Sequence, residues 1–277
     1  MKEIICPVDF SRTSKSALNY AAGMANQLNA QLTIVHIYEL PVIYGDAPFL
    51  AVQQMSTEIE EAAASNLNKV VDVVLSTHPG LVVEKVLICG IPASEIEKIA
   101  EKRKADLMVM GTKGLSAMER LLIGSTTERV FHHVTLPVLC IPEGAVYNGL
   151  QKMVFATDLK SDNLDAAMQV ADFARNFHSE LQFIYIDTEH STSHQEKMNE
   201  LTEKIRSHVK YPKMSGFIAD DFNVSTGLQV FLQKYPADVL VMYTHQRSFP
   251  RSLTTPSVTS KTLHHLNMPL LVFTQHR

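Results

Sequence analysis

The sequence has no tryptophan, only three cysteines and no large excess of charge of either sign. Its formal net charge of -4 comes without the clusters of lysine and arginine that a phosphate backbone requires, so we expect no nucleic-acid partner. No run approaches the roughly 20 apolar residues of a membrane helix, so we expect no membrane partner. The first residues enter a strand-like run without the ordered features of a signal peptide, and the cytoplasm is the expected location.

The cysteines are scattered along the chain. Cys6, Cys89 and Cys140 each lie in or beside an apolar run. An odd number of such cysteines does not make a disulfide framework, and thiols in apolar surroundings are usually buried. We therefore predict three reduced core thiols.

Length and patterning predict an α/β protein. The chain has 277 residues, of which 45% are hydrophobic and 19% charged, which suits two globular domains. In the first half, apolar runs predict strands over residues 4–8, 32–37, 82–87, 107–110 and 138–141. Amphipathic stretches predict helices over 14–28, within about 57–76, over 93–104 and after Ser125. Because parallel strands need crossovers, this alternation predicts a doubly wound, five-stranded parallel sheet with helices on both faces.

The pattern then restarts. A linker-like segment, residues 142–150, precedes a new first strand over 153–158. Residues 105–142 align without a gap with residues 237–274, and roughly a third of the positions are identical. Asp9 aligns with Asp158 at a larger offset, so the second copy has lost 17 residues, and we place that loss after its second strand. The prediction is two tandem domains, 1–145 and 150–277.

The strongest local signal follows the fourth strand. Gly111 and Gly114 are followed, after nine residues, by Gly124 and Ser125. In an open parallel sheet, ligands bind beyond the carboxyl ends of the strands, where the strand order reverses. Glycines permit a close approach of the backbone, and the free N–H groups at a helix start can bind phosphate. Alternatively, Ser125 and Glu128 form only a capping box.

This glycine spacing resembles the ATP-binding motif of the universal stress protein family. Residues 6–11, 32–37, 90–93 and 137–142 also resemble that family, and they occur in its order. The resemblance covers nearly the whole first copy and, more loosely, the second. It implies the strand order 3-2-1-4-5 in each sheet and an ATP-binding stress-response regulatory protein, with or without Mg²⁺.

The resemblance also implies which residues bind ATP. They are Pro7, Val8, Asp9, Ile37, Met110, Gly111, Lys113, Gly114, Gly124, Ser125 and Thr126. Apolar Pro7, Ile37 and Met110 can cover a purine face, and Asp9 can accept a hydrogen bond from a ribose hydroxyl. The alternatives are strand-end packing for the three apolar residues, capping of the first helix for Asp9 and simple solvation for Lys113.

The second copy departs from this pattern. At the positions of Gly111, Gly114, Gly124 and Ser125 it has Tyr243, Gln246, Pro256 and Ser257. Tyr243 places a ring where phosphate would approach, and Pro256 removes a backbone donor. We expect the second domain to keep the fold and to lose the triphosphate site.

Neither a Walker A sequence nor an evident general base accompanies the motif, so no catalytic residue is assigned and at most weak ATP hydrolysis is expected. The rival interpretations are a nucleotide-free interaction scaffold and a slow ATPase. An unidentified protein partner is expected beside the adenine nucleotide. The fifth strand and its copy, 138–141 and 270–273, are predicted sheet edges. The resemblance implies that they pair as an intramolecular pseudo-dimer, and it leaves a homodimer open.

His190 and His194, with Asp187 and Glu189 nearby, have the residue types of metal ligands. Their polar surroundings instead predict a solvated loop, and we expect no metal site.

Overall fold

The computed structural model describes residues 1–41, 48–112, 126–127, 129–130, 134–159, 163–188, 193–209, 211–245 and 268–275. The chain separates into two compact units. Unit 1 contains Met1–Leu136 and Ile141–Tyr147, and unit 2 contains Pro137–Cys140 and Asn148–Arg277. Within the described residues, no helix is both long enough and apolar enough to cross a bilayer.

Unit 1 alternates strands and helices. In chain order they are β1 (Glu3–Pro7), α1 (Arg12–Leu28), β2 (Gln31–Tyr38), α2 (Phe49–Thr77), β3 (Val83–Cys89), α3 (Pro92–Arg103) and β4 (Leu107–Gly111). β1 pairs in parallel with β2 and β4, and β2 pairs in parallel with β3. Beyond β4, the N–H of Thr112 donates to the carbonyl of Ile141 at 3.1 Å, at the end of β5 (Val138–Ile141). The predicted α/β class and the order 3-2-1-4-5 are therefore confirmed.

Burial follows position in the sheet. The central strands β1 and β4 are buried along almost their whole length, whereas β3, at the end of the strand order, is exposed or half-buried throughout. Ser11 begins α1, because its Oγ accepts a hydrogen bond from the N–H of Ser14 at 3.1 Å. The helix ends at Asn29, whose backbone is left-handed with φ of 50°.

Unit 2 repeats the arrangement. Its elements are β6 (Lys152–Ala156), α4 (Asn163–Arg175), β7 (Glu180–Asp187), α5 (Ser193–Val209), β8 (Met214–Asp220), α6 (Val224–Lys234), β9 (Val239–His245) and β10 (Leu270–Gln275). Parallel pairing gives the order β8-β7-β6-β9-β10. Val138, Leu139 and Cys140 of β5 pair antiparallel with β10, so the two fifth strands are neighbours.

Ala105-Asp106 in the first copy recurs as Ala237-Asp238 in the second, and the aspartate has the same structural role in both. The Oδ2 atom of Asp106 accepts hydrogen bonds from the backbone N–H groups of Lys2 and Glu3, at 2.5 and 2.9 Å. In unit 2 the Oδ2 atom of Asp238 accepts from Gln151 and Lys152, at 2.7 and 2.8 Å. Each aspartate thus satisfies two donors where the first strand of its own unit begins, which explains why both copies carry it.

The connection between the second and third strands differs between the copies. In unit 1 it contains the 29-residue α2, and in unit 2 the 17-residue α5. The predicted loss of residues after the second strand is therefore confirmed. The predicted start of α2 near Thr57 is wrong, because the helix begins at Phe49. Its first turns expose Phe49 and Leu50, so no buried face marks them in the sequence.

Candidate functional site

Three strand ends converge at the carboxyl edge of the unit 1 sheet. Strand register pairs Pro7 with Val35, and it pairs Ile5 with Met108. The ends of β1, β2 and β4 therefore lie side by side, and with them the predicted residues Pro7, Val8, Asp9, Ile37, Met110 and Gly111. β1 lies between β2 and β4, at the point where the order of strands reverses, which is the place where open α/β sheets bind ligands.

The loop after β1 is held by its neighbours. The N–H of Val8 donates to the carbonyl of Val35 at 2.8 Å, and the Nδ1 atom of His36 lies 2.8 Å from the carbonyl oxygen of Val8. The ring of Phe10 packs on that of His36 with centroids 4.2 Å apart, and the backbone of Phe10 is left-handed with φ of 63°. A bulky residue rarely adopts this conformation, so the contacts must hold the loop in place.

Asp9 does not cap the first helix. Its Oδ1 atom accepts a hydrogen bond from the N–H of Ser11 at 3.1 Å, and Ser11 itself is the N-cap of α1. The capping alternative for Asp9 is therefore wrong. The carboxylate instead shapes the turn between β1 and α1, at the carboxyl edge of the sheet.

Gly111 lies against the first turn of α1. A Cβ at this position would be 3.0 Å from the carbonyl carbon of Thr13 and 3.2 Å from the nitrogen of Ser14. Backbone atoms cannot move aside as a flexible side chain can, so the close packing of β4 on α1 requires glycine here. The hydroxyl of Thr127 donates to the carbonyl of Gly111 at 3.2 Å, which ties the start of the following helical residues to the end of β4.

The structure places seven of the predicted site residues. Val8 and Met110 are buried, at 6% and 5% exposure. Partly exposed are Pro7, Asp9, Ile37, Gly111 and Thr126, the last in a helical conformation. Lys113, Gly114, Gly124 and Ser125 lie outside the described residues, and their roles stay predictions. His36, Phe10 and Thr127 were not predicted from the sequence, since nothing in a one-dimensional pattern pairs residues 36 and 10.

The same edge of unit 2 has a different composition. Register places Tyr243 at the position of Gly111, since β6 pairs with β9 as β1 does with β4. Leu159 repeats the left-handed backbone of Phe10, with φ of 56°, and Asp158 precedes it as Asp9 precedes Phe10. The fold of this edge is thus retained around a changed set of side chains. Gln246, Pro256 and Ser257 lie outside the described residues.

His194 is not in a solvated loop, contrary to the prediction. It lies in the first turn of α5, it is buried, and its Nδ1 atom is 2.7 Å from the Oδ2 atom of buried Asp187. The ring of Tyr185 packs against its edge, with centroids 4.7 Å apart. This pair attaches α5 to the end of β7. Among the described residues no cluster of three His, Cys, Asp or Glu could hold a metal ion, and His190 lies outside them.

The prediction of three core thiols is wrong for one cysteine, Cys89. Cys6 and Cys140 are buried, and burial raises the pKa of both thiols. Cys89 is exposed, because it ends β3, whose outer side has no further strand in the sheet order.

Comparison with known proteins identifies similar sequences and folds. The model of the universal stress protein family matches residues 1–142. A universal stress protein of Methanocaldococcus jannaschii is 32% identical over 140 residues, which are 50% of this chain and 81% of that protein. A putative universal stress protein of Staphylococcus aureus is 32% identical over 161 residues, covering 57% and 95% of the two chains. The crystal structure of a universal stress protein from Archaeoglobus fulgidus covers 99% of this chain and 96% of its own, with a TM-score of 0.73 at 18% identity, and shows the same fold.

Proposed function

The chain belongs to the universal stress protein family, a family of stress-response proteins, and on that premise we propose that it is a regulatory protein that binds one ATP in unit 1. The observation that carries the proposal is the close fit of Gly111 against Thr13 and Ser14. This close packing places the end of β4, where the glycine motif begins, against the first turn of α1 and beside the loop of Asp9. The three free cysteines suit a reducing compartment, and we propose the cytoplasm.

In this proposal the site has two halves. Pro7, Ile37 and Met110 cover the adenine, and Asp9 accepts a hydrogen bond from a ribose hydroxyl. The glycine loop binds the triphosphate through Lys113 and through the backbone N–H groups near Gly114 and Gly124, with Ser125 and Thr126 at the start of the next helix. Helix starts and glycine-rich turns suit phosphate because their N–H groups lack intrahelical partners. Mg²⁺ is an optional companion of the phosphates.

The proposal assigns no catalytic residue. The side chains beside the described edge are mainly apolar, and Asp9 is already engaged with the turn. ATP is therefore sensed, with little or no hydrolysis, while the protein surface binds a protein partner. Turnover of saturating ATP faster than roughly one per second would support an enzyme instead.

Isothermal titration of the full chain with ATP tests the site. The variant Gly114→Val with Gly124→Val is expected to abolish binding, because added side chains fill the space of the phosphates, while circular dichroism stays unchanged. The matched control is Gln246→Val with Pro256→Val at the corresponding positions of the second copy, which leaves the affinity as it was. Equal ATP affinity in all three proteins would refute the site.

The rival function is a nucleotide-free scaffold. Chromatography of whatever ligand the purified protein releases, combined with the titration, separates the two. A folded wild-type chain that neither carries nor binds an adenine nucleotide would establish the scaffold.

A further inference from the structure

At the amino-terminal end of the unit 1 sheet, side-chain oxygens surround the guanidinium of Arg103. Its Nη1 atom donates to Glu3 at 3.1 Å, Glu84 at 2.9 Å and Thr33 at 3.3 Å, and its Nη2 atom donates to Glu84. Gln31 also donates to Glu84, at 3.0 Å. Arg103 is therefore the donor that serves oxygens on three neighbouring strands.

Unit 2 keeps these strand positions, but its described residues include no arginine at the position of Arg103. Register pairs Glu3 with Gln31 and Thr33 with Glu84 in unit 1, and it pairs Lys152 with Glu180 and Gln182 with Ser215 in unit 2. Arg103 ends α3, and Tyr235, directly after α6, takes its place. The Tyr235 ring instead packs on Phe217 and Phe231, with centroids 5.4 and 4.9 Å away.

Two of the buried side-chain oxygens without partners in the described part of unit 2 belong to residues that face each other on β7 and β8. Among the described residues, Gln182 Oε1 and Ser215 Oγ are buried and accept or donate no hydrogen bond. They occupy the positions of Thr33 and Glu84, two of the three side chains that Arg103 joins in unit 1. The Gln182 amide cannot be turned around, because its Nε2 donates to a carboxylate oxygen of Glu180 at 2.7 Å and a carboxylate only accepts. Such unpaired buried oxygens are unfavourable, so this place favours a hydrogen-bond donor.

A cavity of about 770 Å³ lies at the same end of unit 2, large enough for a small metabolite. Its lining includes Lys152, Glu180 and Ser215 from the strands, together with the cation Lys213 and the apolar side chain of Phe177. The Nζ atom of Lys152 is 3.8 Å from Glu180, and both side chains are partly exposed. Gln182 does not itself line the cavity, but it is hydrogen-bonded to Glu180 and paired in register with Ser215, which both do. So long and exposed an ion pair opens at little cost, and its opening is the route by which a ligand would reach the two buried oxygens.

We propose that this cavity binds a small zwitterion with a guanidinium at one end and a carboxylate at the other, the chemistry of free L-arginine. The planar guanidinium carries five N–H donors and meets Gln182 Oε1, Ser215 Oγ and the carboxylate of Glu180. The ligand carboxylate meets the ammonium of Lys213, which has three N–H groups and donates one to the His178 carbonyl at 3.1 Å. The ligand thus supplies in unit 2 the group that Arg103 supplies in unit 1. The inference is independent of ATP binding.

Isothermal titration of the full chain with L-arginine tests the proposal. Saturable binding is expected with a dissociation constant of about 1 mM or lower. Gln182→Leu with Ser215→Ala weakens it at least about tenfold, since hydrogen bonds to a charged group are lost. Thr33→Val, at the position of Gln182 in unit 1, is the matched control and leaves the affinity unchanged. Lys213→Ala alters only an exposed side chain and weakens binding even if the double variant does not fold.

Two analogues of L-arginine test the contributions of its guanidinium and of its carboxylate one at a time. L-citrulline, which replaces the guanidinium by a neutral urea, and agmatine, which lacks the carboxylate, each bind more weakly than L-arginine. Tyr235→Arg, which returns the guanidinium to the chain, removes binding. The proposal is overturned if folded wild-type protein shows no saturable heat with L-arginine. It is equally overturned if citrulline binds as well as arginine, or if Lys213→Ala and the double variant both keep the wild-type affinity.

Discussion

The Nδ1 atom of His36 donates its hydrogen to the carbonyl oxygen of Val8, 2.8 Å away. A carbonyl can only accept, so Nδ1 carries the hydrogen of this bond. This bond and the tilted contact of the Phe10 ring support the loop that carries Asp9, the residue we propose for the ribose. His36 is therefore a positioning residue.

The first prediction concerns this support. His36→Phe keeps an aromatic ring against Phe10 and removes the donor, which leaves the Val8 carbonyl unpaired. We expect the free energy of unfolding to fall by about 1 kcal/mol and ATP affinity to fall by roughly fivefold. Urea unfolding and isothermal titration measure the two effects.

Phe10→Leu is the control for the same loop. Leu159 shows that leucine adopts this left-handed backbone in unit 2, and the substitution keeps the His36 bond. Its ATP affinity should stay closer to wild type than that of His36→Phe. If Phe10→Leu lowers ATP affinity more than His36→Phe does, the ring contact, and not the hydrogen bond, positions Asp9.

A second prediction concerns Gly23, in the middle of α1. A Cβ there would lie 2.6 Å from Cδ1 of Tyr147, whose ring packs edge-on against Tyr20 with centroids 4.9 Å apart. The connection after β5 thus lies on α1. Gly23→Ala in the wild-type chain must displace Tyr147, so the usual gain from replacing a helical glycine is lost and the chain becomes less stable.

In a Tyr147→Gly background, which also removes the Tyr147 Cβ that lies 3.2 Å from the new methyl, the same change should stabilise the chain by about 1 kcal/mol, the difference in helix propensity between alanine and glycine. A double-mutant cycle of unfolding free energies measures this coupling. Additive effects of the two changes would show that the ring and the glycine do not meet.

The third prediction uses the thiols. In folded protein a charged maleimide should label Cys89 alone, because burial keeps Cys6 and Cys140 both inaccessible and, through their raised pKa, protonated at neutral pH. Mass spectrometry should find one label per folded wild-type chain and none on the folded Cys89→Ser variant. In denaturant the wild-type chain should carry three labels. Rapid labelling of Cys6 in native protein would contradict the buried position of β1.

The fourth prediction is asymmetry between the units. Titration of the full chain with ATP should give one site, and Asp9→Ala should weaken it at least about tenfold while Asp158→Ala does not. The physical reason is Tyr243, which stands in register where unit 1 has Gly111, so we expect its ring to take the space that phosphate would need beside Asp158. Two equivalent sites per chain would be incompatible with this view.

Much of the fold could be predicted from the sequence because its causes are local. Alternating apolar runs and amphipathic stretches indicated the strands and helices, and the aligned copies located the shorter connection between β7 and β8. The early start of α2 was missed because its first turns have no buried face, and Phe49 is 78% exposed. Hydrophobic periodicity indicates which face of a helix is buried, so the exposed first turns of α2 produce no periodic pattern in the sequence.

The candidate site was predictable only in part. The positions of Asp9 and Gly111 follow from strand order, but the sequence could not show that Ser11 rather than Asp9 caps α1, since both residue types are good caps. Nor could it show that His194 is buried against Asp187, because a run of polar residues predicts solvent unless a specific partner is known.

By itself, then, the sequence determined the α/β class, the duplication and the divergence of Tyr243 from Gly111, all of which are patterns along one dimension. Only the tertiary structure decided that Asp106 and Asp238 accept the same pair of hydrogen bonds where the first strand of each unit begins. It also decided that, among the described residues, no side chain bonds the oxygens of Gln182 and Ser215 as Arg103 bonds those of Thr33 and Glu84. The reason is that hydrogen-bond satisfaction depends on strand register and on which side chains face each other across about 30 to 100 residues of chain, distances over which composition and periodicity carry no information.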